Sequence, residues 1–145
     1  MSFGGPLLIA PLTSLLGVRA GMNVSIINAP PGFLEALLPL PEGAALVDTS
    51  KLGLDMQVVF STRKVELIDR LASMTRSMAV MGSIWACFPT VSDGAQVPTE
   101  DFVRLASLEL GLTDVKKVML GPDWTALRLQ WKPRAPRLDL PTATA

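Results

Sequence analysis

The sequence predicts an α/β fold: one three-layer domain whose sheet is mainly parallel and ends in an antiparallel C-terminal hairpin. Three observations carry this. Strand-like and helix-like hydrophobic periods alternate along most of the 145 residues, which places helices on both faces of a parallel sheet. The stretch at 82–88, "GSIWACF", is a near-continuous apolar run closed by Pro89, as suits a strand buried on both faces. Near the C-terminus, "DVKKVML" and "TALRLQW" flank "GPDW", a turn-forming group between two strand patterns.

The first strand is "NVSIIN" at 23–28, rich in β-branched residues. Behind it, Phe33, Leu34, Leu37 and Leu38 share one helical face, and Pro39 and Pro41 stop that helix early. "AALVD" at 44–48 and "DMQVVFS" at 55–61 are the second and third strands. A longer helix follows, with Leu67, Ile68, Leu71, Met74 and Met78 at helical spacing and Thr62 as its expected N-cap. The buried strand at 82–88 comes next. Then Thr99 caps a helix whose first turn holds Glu100 and Asp101 and which Gly111 ends. With the hairpin the order is β-α-β-β-α-β-α-β-β.

Residues 1–14 read as an uncharged apolar arm, 15–132 as the single domain, and 133–145 as a Pro-rich tail. The arm lacks the basic start of an export signal, and Gly4, Gly5, Pro6 and Pro11 break it, so it neither directs secretion nor spans a bilayer. It is expected to pack on the domain or on a second copy, making the chain a homo-oligomer. Thirteen basic and thirteen acidic residues balance, which points away from nucleic acid and anionic membranes. The chain has no His, which removes the commonest general base and metal ligand. Its single Cys, Cys87, excludes an internal disulfide and a thiolate zinc site, and a cytoplasmic setting is expected.

Several segments together resemble a known family. "LGVRAGMNVSIINAPPGF", "VVFSTRKVELIDRL", "GSIWACFP", "TEDFVRLASLELGLTDVKKV" and "DWTALRLQW" are similar, in that order, to the small prokaryotic domain-of-unknown-function family numbered 3052. The likeness runs from about residue 15 to 132. Its most specific pieces are the Asn-Ala-Pro-x-Gly-Phe turn at 28–33 and the Trp124–Leu127 segment. Family members often carry Lys after the Pro of the "GSIWACFP" strand. Here Thr90 follows Pro89, so no role of that Lys transfers. The resemblance implies a fold and no activity. The closing hairpin is also similar to the C-terminal half of Rossmann-like methyltransferases, an analogy of fold alone.

Ligands of open α/β sheets lie beyond the carboxyl ends of the strands, where strand order reverses. If the first and third strands are neighbours, Asn28, Ala29 and Gly32 face Ser61, Thr62 and Arg63 across that crevice. Asp48 ends the second strand twenty residues after Asn28, about where a ribose-binding acid stands. Trp124, beside a turn, is a candidate to stack on a ligand. Against this, Pro30 and Pro31 have no N–H to offer an anion, and only Gly32 permits close backbone approach. No catalytic or metal-binding set emerges. The sequence therefore favours a non-catalytic module without a cofactor that acts through a protein partner or self-association. The alternative is a domain that binds adenosylmethionine or a nucleotide, or transfers a group from it, at that crevice. Cys87 and Trp85 alternate into the core.

Overall fold

A computed structural model describes residues 11–133. The chain forms helix α1 (Leu12–Leu16), strand β1 (Asn23–Ile27), helix α2 (Phe33–Leu37), strand β2 (Ala45–Leu46), strand β3 (Leu54–Phe60) and helix α3 (Lys64–Thr75). Strand β4 (Met78–Pro89), helix α4 (Glu100–Glu109) and the β5 (Leu112–Leu120) and β6 (Trp124–Trp131) hairpin complete it. The strands form one sheet of order β2-β1-β3-β4-β6-β5. Strands β2, β1, β3 and β4 run parallel; β6 is antiparallel to β4 and to β5. The predicted fold class is therefore the observed one.

Alternation along β3 and β4 divides the interior between the two faces of the sheet. Met56, Val58, Phe60, Trp85 and Cys87 point to one side, where they meet Leu12, Leu16, Phe33 and Leu37 of the two short helices. Val59, Ile84, Ala86 and Phe88 point to the other, against Leu67, Leu71 and Met74 of α3 and Val103 of α4. Thr99 caps α4 as expected, its Oγ1 accepting from the Phe102 N–H at 3.2 Å.

Helix α1 is absent from the sequence-derived order and straddles the boundary drawn between residues 14 and 15. Pro11 precedes it, Gly17 closes it at a φ of 82°, and Leu12 and Leu16 are buried. The Leu16 carbonyl accepts the indole N–H of Trp85 at 2.9 Å, which ties the helix to the central strand. The rest of the apolar arm and the tail from residue 134 lie outside the described residues.

Three further details differ from expectation. Thr62 does not cap α3, whose N-cap residue is Arg63 without a side-chain bond. Met78 belongs to β4 rather than to the helix before it. β4 also starts four residues early because it bulges. Leu54 pairs with Met78 but Met56 with Ser83, so the extra residues loop out and leave Val80 and Met81 83% and 90% exposed.

Candidate functional site

The strand order reverses between β1 and β3. From β1 the chain goes to β2 on one side, then returns to lay β3 on the other. The β1–β3 register pairs Ile27 with Val59, so the next residues, Asn28 and Phe60, stand level at the carboxyl edge of the sheet. Asn28 is the only non-glycine described residue with a positive φ, at 60°. Asparagine tolerates this left-handed geometry because its short polar side chain bonds locally. The turn then passes through buried Pro30 and exposed Pro31 to Gly32, whose φ of 89° only glycine adopts without strain. The Phe33 N–H closes the turn on the Pro30 carbonyl at 3.1 Å.

Asp48 lies two residues beyond β2, on the far side of β1 from β3. Its Oδ1 accepts the Ser50 N–H at 2.9 Å, and that bond holds the exposed carboxyl below the usual carboxylate range. Ser61 is buried at the end of β3. Its hydroxyl bridges the start of α3, accepting the Arg63 N–H at 3.2 Å and donating to Glu66 Oε1 at 3.1 Å. Thr62 and Arg63 are exposed beside it.

Asn28, Ala29 and Gly32 follow the end of β1, Ser61, Thr62 and Arg63 follow the end of the neighbouring β3, and Asp48 is one strand away, after β2. Trp124 shares this edge of the sheet but sits beneath the surface. It pairs with Pro89 at the start of β6, is 4% exposed, and stands edge-on to Phe60 at 5.0 Å and 87°. Phe60 in turn stands edge-on to Phe33 at 4.8 Å, so three rings in series run from the first turn to the hairpin. Trp85 and Cys87 are fully buried, and burial alone pushes the thiol far up.

A cavity of about 430 Å³ at the same edge escaped the sequence reading. Thr62 and Pro89 line it, together with Val91, Asp93 and Val97 of the loop after β4 and Pro122 and Asp123 of the hairpin turn. The signals were present as "SDG" and "GPD", two acidic turns. Only the β4–β6 pairing brings those turns together.

No family model matches the chain, and no curated protein does. Solved structures do. A SAM-dependent methyltransferase from Aquifex aeolicus superposes with a TM-score of 0.53 at 11% identity, over 81% of this chain and 86% of that one. The fold is methyltransferase-like. A possible exported protein from Bordetella parapertussis gives 0.57 at 13% identity, over 83% of this chain and 65% of that one. An O-methyltransferase from neocarzinostatin biosynthesis, solved with S-adenosyl-L-homocysteine and 1,4-dihydroxy-2-naphthoic acid, gives 0.55 at 8% identity. That match spans 77% of this chain and 49% of the other, so the shared region is about half of that enzyme's length.

These likenesses correct one expectation. A cofactor-free module was the favoured reading, yet the matching structures include one named for its dependence on SAM and one solved with S-adenosyl-L-homocysteine. Among the described residues, no helix is long and apolar enough to cross a membrane.

Proposed function

We propose that this chain is an adenosylmethionine-class ligand-binding domain, with the ligand over the β1–β3 switch point. One observation supports the reading: strand order reverses between β1 and β3, the switch point beyond which ligands of such sheets lie, and Asn28–Gly32, Ser61–Arg63 and Asp48 follow the strands that meet there. The fold shared with SAM-dependent methyltransferases supports it. So does the fit of the donor set.

Asp48 is an exposed carboxylate kept ionised, suited to accept the two hydroxyls of a ribose. The turn between β1 and α2 withholds what a dinucleotide needs, an objection that weakens for a sulfonium nucleoside. Pro30 and Pro31 have no N–H groups, so a pyrophosphate finds no cradle, while adenosylmethionine has no phosphate to satisfy. Bound adenosylmethionine would supply an activated methyl group. The chain's own contribution is positioning, since without His it lacks the usual proton carrier. The resemblance to the unassigned family numbered 3052 is compatible with this reading and adds no chemistry to it.

Calorimetric titration with S-adenosylhomocysteine tests the proposal. Binding is expected to weaken about tenfold or more in Asp48→Ala, as for loss of a charge-assisted pair of hydrogen bonds. Gly32→Val is expected to weaken it as well. No binding to the wild-type chain, or full affinity in Asp48→Ala, would refute it.

A further inference from the structure

The cavity at the carboxyl ends of β3 and β4 carries a second inference. We propose that it takes a small ligand with an ammonium group and an apolar body, held by the carboxylates of Asp93 and Asp123. This rests on the adenosyl-site reading insofar as the ligand would be the partner substrate, because Thr62 ends the crevice and also lines the cavity.

Shape comes first. At about 430 Å³ the cavity is within the range that small-molecule sites occupy. Its walls are pinned at both ends. The Thr90 N–H donates to the Asp123 carbonyl at 2.8 Å, which fixes the loop after β4 to the hairpin turn. The Lys64 N–H donates to the Gln96 carbonyl at 2.7 Å, which fixes the other end of that loop to the start of α3. Pro89 and Pro122 stiffen two walls further.

Charge comes second. The ionisable residues lining the cavity are Asp93 and Asp123, and no cationic residue lines it. Neither carboxylate is in an ion pair among the described residues. Arg63, next to Thr62, lines a separate cavity along α3, and two lysines of the neighbouring elements are engaged elsewhere. Lys64 Nζ lies over the Phe102 ring at 5.2 Å, and Lys117 Nζ is 2.9 Å from Glu100 Oε1. Pro89, Val91, Val97 and Pro122 supply apolar wall to the rest of the ligand. A neutral ligand would use those walls and leave both charges idle, and an anionic one would be repelled.

The test is an amide chemical-shift titration of the full chain with 2-phenylethylamine, 2-phenylethanol and phenylacetate, three probes of one shape and different charge. Each is run with and without S-adenosylhomocysteine. The amine is expected to bind about fivefold or more tightly than the alcohol, with shifts at Val91, Asp93, Val97 and Asp123, and phenylacetate most weakly. Asp93→Asn with Asp123→Asn should bring amine and alcohol together, and the amide spectrum itself reports whether that variant is folded. Equal affinity for the three probes, or shifts elsewhere, overturns the proposal even if S-adenosylhomocysteine binds. Amine preference at these residues without S-adenosylhomocysteine binding upholds the cationic site and refutes the adenosyl reading alone.

Discussion

Phe60 is 2% exposed and stands edge-on to two rings, Phe33 at 4.8 Å and Trp124 at 5.0 Å. Each such pair contributes roughly 0.5–1.5 kcal/mol beyond the area it buries. Phe60→Leu keeps most of the apolar contact and loses both pairs, so it is expected to cost about 1–3 kcal/mol. Urea unfolding followed by tryptophan fluorescence reads this as a lower midpoint with an unchanged slope. The sharper measurement is the double-mutant cycle of Phe60→Leu with Trp124→Leu, expected to give a coupling of about 0.5–1.5 kcal/mol. Leu71 lies on the opposite face of the sheet and provides the control. Phe60→Leu and Leu71→Ala should add within about 0.5 kcal/mol. Additivity in the Phe60–Trp124 cycle as well would refute the claim that the rings under the crevice act as a unit.

Three further outcomes follow from the same packing. Leu16→Ala should cost about 2–5 kcal/mol, because it opens a cavity beside the helix that anchors Trp85, and a loss below that range would show α1 to be dispensable. Gly82→Ala should cost about 1–3 kcal/mol by overpacking, since its Cβ would lie 2.6 Å from the Leu54 carbonyl oxygen; a neutral result would show that the β4 bulge yields freely. Cys87 should resist a thiol reagent in the native chain and react only on unfolding. Because burial raises its folded value above the ordinary 9.0, the unfolded thiol ionises first and stability should fall as pH rises beyond that value, an effect absent in Cys87→Ala.

Much of the fold was legible because local and global signals agree. The β-branched run before Asn28, the Thr99 cap with its acidic first turn, and the apolar "GSIWACF" each match the sheet they build. Helix α1 was not legible. Five residues between Pro11 and Gly17 carry too short a period to distinguish a helix from an apolar arm. The β4 bulge was hidden for a related reason: "MAVMG" follows the α3 pattern in composition, and only pairing with β3 shows which residues loop out. Of the candidate site, the positions of Asn28–Gly32 after β1 and of Ser61–Arg63 after β3 could be read from strand ends alone. The burial of Trp124 and the meeting of Asp93 with Asp123 depend on how β6 pairs with β4, which no local pattern encodes.

The most direct test of the central claim is an amide chemical-shift titration of the full chain with S-adenosylhomocysteine. The account predicts shifts concentrated at Asn28, Ala29 and Gly32, at Asp48–Ser50 and at Ser61–Arg63, with β5 and the exposed face of α4 unmoved. No shifts at saturating ligand, or shifts confined to residues away from the ends of β1, β2 and β3, would contradict it.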